Sequence, residues 1–104
     1  MIKAKVSIKD SKYSGFSCTG HAGYANKGND IVCAAVSVLV INTANAIEKL
    51  TDTDFRAVNS GDEIKYVFNS VPGDKASLLM DALVLGLKEI QKEYGKKYLN
   101  LVIQ

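Results

Sequence analysis

The stretch NDIVCAAVSVLVINTANAIEKL, Asn29 to Leu50, decides how the rest of the chain must be arranged. Asn29 or Asp30 suits a helix cap, because a short side-chain oxygen accepts from the unpaired N–H groups of a first turn. The helix then runs to about Leu50. Val32, Val36, Leu39, Thr43 and Ile47 share one face, and Ile31, Ala34, Val38 and Ile41 form much of another. A helix apolar on every side is buried on every side. One sheet cannot cover it, so a second helix or a second subunit must help.

Upstream, Ile2, Ala4, Val6 and Ile8 alternate with Lys3, Lys5, Ser7 and Lys9, the pattern of a half-buried strand with one wet face. Asp10–Ser11–Lys12 reads as a tight turn. A second strand is expected from Tyr13 to Ala22, with Phe16 and Cys18 on one face and Ser17, Thr19 and His21 on the other. Gly20, Gly23, Gly28, Asn26 and Asn29 make residues 20–30 a mobile loop.

Downstream, Phe55–Asn59 and Glu63–Asn69 read as strands joined by the turn NSGD, with Ile64, Tyr66 and Phe68 on one face. Pro72 interrupts the chain, and Asp74 is expected to cap a second helix. Its stripe is Leu79, Ala82, Leu83, Gly86, Leu87, Ile90 and Tyr94. Gly86 weakens that helix by about 1 kcal/mol relative to Ala; close approach of another helix would explain it. Gly95 supplies the stop. Leu99, Leu101 and Ile103 complete a last strand. The order ββαββαβ implies an α+β domain over residues 1–104, an antiparallel or mixed sheet with two packed helices.

Bulk properties narrow the function. The chain has 104 residues, 47% of them hydrophobic, and a net charge of +2. That charge does not argue for nucleic acid, since no Lys/Arg run exceeds the pair Lys96–Lys97. The first residues alternate charge and apolarity and cannot serve as a signal-peptide core. A cytoplasmic location with free thiols is therefore expected. The run Ile31–Ile41 is short of the ~20 residues a membrane helix needs, so no membrane partner is expected.

Cys33 falls in the first turn of the first helix, where unpaired N–H groups and the helix dipole favour a thiolate. His21 lies at the end of the preceding strand and can face that turn if the loop folds back. A cysteine with a nearby base is the minimum for thiol nucleophilic catalysis, and the first-turn N–H groups are candidate oxyanion donors. The plain alternative is that Cys33 is a small core hydrophobe. Cys18, beside Phe16, reads as core packing. One His and two Cys without a C-x-x-C pair make a poor metal site. Asp30 is foremost a cap, with orientation of His21 or shaping of the loop as a second role that can hold beside it. Ser37, one turn after Cys33, either faces the site or bonds back to the carbonyl of Cys33. The segment GYANKGND lacks a phosphate-binding motif and reads better as a lid, on which Tyr24 and Lys27 could touch substrate.

At this point GHAGYANKGNDIVCAAVS resembles the signature of the bacterial ribosomal-processing cysteine protease family, Prp. The matching residues are Gly20, His21, Ala22, then Gly28, Asp30, Ile31, Val32, Cys33, Ala34 and Ser37. The resemblance implies a cysteine endopeptidase with Cys33 as nucleophile and His21 as general base and acid, supported by Asp30 and Ser37. Gly20, Ala22, Gly23, Tyr24 and Gly28 would belong to a substrate-binding lid. It further implies a ribosomal protein precursor as peptide substrate, namely the N-terminal extension of large-subunit protein L-twenty-seven. A homodimer is implied, with no cofactor or metal and no direct nucleic-acid partner. The rivals are a non-enzymatic ribosome-associated binding protein and a redox protein. The second would need Cys18 within bridging reach of Cys33, which strand parity to His21 opposes.

Overall fold

The alternation in the first nine residues becomes β1 (Ile2–Lys9). In the computed structural model, which describes residues 1–26 and 29–104, it is followed by β2 (Lys12–Thr19), α1 (Ile31–Leu50), β3 (Phe55–Ser60), β4 (Glu63–Phe68), α2 (Asp74–Tyr94) and β5 (Leu99–Ile103). The sheet order is β3-β4-β2-β1-β5. β1–β2, β2–β4 and β3–β4 are antiparallel, and β1–β5 is parallel, so the sheet is mixed. The expected α+β class and element order are those observed.

Both helices lie on one side of the sheet. Ile2, Ala4 and Val6 of β1, Phe16 of β2 and Leu99 of β5 face Val32, Val36 and Ile47 of α1 and Met80, Leu83 and Leu87 of α2, all buried. Each such large aliphatic side chain contributes roughly 1.5–3 kcal/mol through apolar area removed from water. The α2 stripe departs slightly from expectation: Ala76, Met80, Leu83 and Leu87 are its buried members, while Ala82 is exposed. Gly86 sits where α1 and α2 meet. A Cβ there would lie 2.6 Å from Leu39 Cδ2, so the glycine is a point of close helix approach.

Three expectations are corrected. β2 stops at Thr19, not Ala22, because Gly20 turns the chain with φ 85° and a Cβ there would meet the Met1 carbonyl oxygen at 2.5 Å. Strand parity therefore does not extend to His21. Asp74 does not cap α2; Gly73 is the N-cap and has no side chain to offer, leaving Asp74 in the first turn as a charge favourable to the helix dipole. Finally, α1 is not buried on every side. Val32, Val36, Val40, Thr43, Ala44 and Ile47 are covered, but Ile31, Val38 and Ile41 remain 52%, 68% and 47% exposed. α2 covers one flank only. With 20 apolar-rich residues α1 meets the length and composition of a membrane span, so the short apolar run did not exclude one; its packed face nonetheless makes it part of this core.

The Lys9–Lys12 hairpin closes through Asp10 and Ser11, both at positive φ (52° and 64°). Tyr13 follows, and its hydroxyl donates to Asp81 Oδ1, tying the hairpin to α2. Burial first, then this carboxylate, push the Tyr13 hydroxyl up to about 12.

Candidate active site

Asp30 organises the junction between loop and helix. Its backbone is extended (φ −84°, ψ 98°), as a cap requires. Oδ1 accepts from the N–H groups of Val32 (3.0 Å) and Cys33 (2.9 Å). Oδ2 reaches back to the loop and accepts from Tyr24 N–H (3.0 Å) and Ala25 N–H (3.5 Å). One carboxylate thus ties together two segments that a strand-loop-helix reading leaves independent. The Cys33 N–H, with those of Tyr24 and Ala25, holds the Asp30 carboxyl below its usual range against partial desolvation.

The same bonds change the expected electrostatics. The N–H groups of Val32 and Cys33 were candidate oxyanion donors, but Asp30 engages both. A different donor faces the sulfur: Ala22 N–H donates to Cys33 Sγ at 3.1 Å. Ala22 is itself buried, 3% exposed, which anchors the chain next to His21. The loop is therefore pinned to the start of α1 twice, at Ala22 through Cys33 and at Tyr24 through Asp30.

A cleft of about 510 Å³ opens here, lined by His21, Gly23, Ala25, Asp30, Cys33, Ala34 and Ser37. All four chemistry-bearing residues singled out in the sequence share it. His21 is exposed, Cys33 is half-buried, and Ser37 is exposed one turn along the helix. Of the lid residues, Gly23 lines the cleft. Gly20 packs against the backbone of Met1, and the Tyr24 ring packs where α2 ends and β5 begins. There it meets Tyr94 and Tyr98 edge-on, with centroids 5.4 and 5.1 Å away. Gly28 and Lys27 lie outside the described residues. Ala25 is a lining residue that sequence reasoning missed; an alanine in a polar loop carries no signal of its own.

Cys18 is distinct from Cys33. It pairs with Ala4 and Ile64 across the sheet and packs against the core. Burial first, then the neighbouring Cys33, push its thiol up to about 11. The two cysteines therefore lie on the same, helix-covered side of the sheet, contrary to the parity expectation, and both are free thiols. Among the described residues no three His, Cys, Asp or Glu side chains gather as a metal-binding group.

Residues 1–99 match the family model of the cysteine protease Prp. The ribosomal processing cysteine protease Prp of Bacillus subtilis strain 168 is 30% identical over 86 residues, 76% of each chain. That of Staphylococcus aureus strain Mu50 is 28% identical over 99 residues, covering 92% of this chain and 93% of its own. Among solved structures, an essential ribosomal processing protease Prp from S. aureus with a covalently linked product peptide superposes over the whole of both chains, with a TM-score of 0.92 and 26% identity. Its complex with a substrate peptide gives 0.87 and 25%, again over both whole chains. Whole-length similarity in sequence and structure to these peptide-cleaving proteins decides between an enzyme and a passive binding module: the chain belongs to the cysteine protease Prp family and is a thiol protease.

Proposed function

We propose that residues 1–104 form a single endopeptidase domain, cytoplasmic and homodimeric, that removes the N-terminal extension of large-subunit ribosomal protein L-twenty-seven. Cys33 is the nucleophile and His21 its proton carrier. The observation that carries this is the shared cleft of His21, Asp30, Cys33 and Ser37. The relatives' names supply the ribosomal context, and the exposed Ile31, Val38 and Ile41 supply an apolar surface for a second copy.

The chemistry follows from the geometry. His21 takes the thiol proton as Cys33 Sγ attacks the scissile carbonyl carbon. The oxyanion forms two bonds from the sulfur, on the carbon that Cys33 Sγ has attacked, and the Ala22 N–H that faces the sulfur is the donor nearest to it. The C–N bond then breaks, His21 returns the proton to the departing amine, and a thioester remains on Cys33. Water attacks the thioester, giving a proton to His21, and the carboxylate product leaves as the thiol is restored. The covalently linked product peptide held by the S. aureus relative accords with this route. Asp30 positions the loop and the first turn. Gly23, Ala25 and Ala34 give the cleft an apolar lining suited to an apolar substrate side chain.

The test is cleavage of the extended ribosomal protein precursor by wild type, Cys33→Ala and His21→Ala, followed by mass spectrometry of the product N-terminus. Loss of cleavage in both variants is expected. Undiminished cleavage by either one sinks the assignment of the dyad.

A further inference from the structure

Basic residues that are scattered along the chain gather in space. The helices cover one face of the sheet and leave the other open, and the burial of β1 alternates accordingly. Pairing places Lys5 opposite Ser17, Ser17 opposite Lys65, and Lys3 opposite Thr19. Arg56 lies opposite Val67, which lies opposite Gly15, which lies opposite Ser7, and Lys9 faces Lys12 at the hairpin end. Their neighbours Ala4, Val6, Phe16 and Phe68 point to the buried side, so Lys3, Lys5, Lys9, Lys12, Arg56 and Lys65 share the open one. All six are exposed. The face holds six of the chain's thirteen Lys and Arg against one of its eleven Asp and Glu, the half-buried Glu63; Asp10 and Asp62 sit in the turns at its ends. A net charge of +2 conceals this separation. Lys5, Arg56 and Lys65, with Ser7, Ser14, Ser17 and one carboxylate, Glu63, line a groove of about 390 Å³ across the face.

We infer that this open sheet face docks the sugar-phosphate backbone of RNA. Three features select that occupant. Five of the six cations are lysines, point charges on long mobile stems that can follow the separated phosphates of a flexible polyanion. Ser7, Ser17 and Thr19 stand between the cations as hydroxyl donors, the companions of Lys and Arg in phosphate contacts. Along β1, Lys3 and Lys5 are about 6.8 Å apart at two residues' rise, the order of the spacing between successive phosphates on a strand. All five aromatic residues of the strands and hairpin point to the covered side or into the core, so base stacking has no platform here and binding is independent of base sequence. The cleft lies on the helix side of the sheet and stays open to peptide. This inference is independent of the dyad and departs from the expectation that nucleic acid is no direct partner.

The experiment is fluorescence anisotropy of a labelled oligouridylate of about twenty nucleotides against the full chain, between about 50 and about 200 mM salt. Binding should weaken with salt. The triple variant Lys5→Gln/Arg56→Gln/Lys65→Gln should bind about tenfold more weakly at the low-salt end, with a log–log slope shallower by about 2. Lys3→Gln/Lys9→Gln should weaken it in the same direction, and Lys88→Gln/Lys92→Gln on α2 should not. Cleavage of a short peptide should be unchanged in all three. No binding at low salt, or wild-type affinity and slope in the triple variant, overturns the inference. Equal competition by polyglutamate or by anionic vesicles overturns the assignment to RNA and points to an acidic protein or a lipid surface.

Discussion

Asp30 does more than a cap. Its carboxylate accepts from both the helix and the loop, so its loss should loosen the cleft and the fold together. Asp30→Ala is expected to lower kcat/KM for peptide by about tenfold or more, as misplacement of reacting groups does, and to lower Tm; Asp30→Asn, which keeps an acceptor, should fall between. The carboxyl titrates below its usual range in the folded chain. Its stabilising contribution is therefore full above the ordinary carboxylate value of about 4 and is lost as pH falls below it. Thermal melts over that range should show a shallower acid limb in Asp30→Asn than in wild type. An identical limb would contradict the role given to the carboxylate.

The two thiols differ at the same scale. Thiolate is the reactive form, and the Cys18 thiol, pushed from its ordinary 9.0 up to about 11, stays protonated near neutrality. Iodoacetamide at about pH 7 should therefore modify Cys33 well before Cys18, as read by peptide mapping. The raised value in the folded state means that the stability it contributes is full below pH 9.0 and lost as pH rises toward about 11. Faster modification of Cys18 at neutral pH would overturn this account of the pair.

Among the elements, the α1–α2 crossing is tightest at Gly86. Alanine there gains about 1 kcal/mol of helix propensity but brings Cβ against the end of the half-exposed Leu39 side chain. Gly86→Ala should stay within about 1 kcal/mol of wild type, because Leu39 can turn outward. Gly86→Ile overfills the crossing and should cost about 2–3 kcal/mol by urea unfolding; unchanged stability in that variant would mean that the helices do not meet there. The glycine was legible in the sequence because it interrupts an otherwise regular stripe. So were the alternation of β1, the length of α1 and the place of Cys33 in its first turn. Other features needed partners distant in the chain. The end of β2 is dictated by Met1 lying over Gly20. The docking of Tyr24 requires Tyr94 and Tyr98, some seventy residues away. The parallel pairing of β5 with β1 has no local signature. Side-chain type marked Asp30 as a cap, but its second set of bonds exists only once the loop folds back.

For the whole molecule, the division of surfaces is the main consequence of the topology. One sheet face carries lysines, the other carries helices, and the cleft proposed for catalysis opens past the end of β2, beside the start of α1. α1 leaves Ile31, Val38 and Ile41 to solvent, an apolar patch of the kind that marks an interface. Sedimentation should show a dimer for wild type and a monomer for Val38→Glu, with the fold retained because Val38 is 68% exposed. A wild type that sediments as a monomer at micromolar concentration would remove the patch's assigned role. The central claim, nucleophilic attack by Cys33 aided by His21, is tested most directly by rapid quenching of enzyme with excess peptide substrate and tandem mass spectrometry of the intact adduct. An acyl group on Cys33, absent from Cys33→Ala and strongly reduced in His21→Ala, is the predicted result; an acyl group on Cys18, or full turnover by Cys33→Ala, would contradict it.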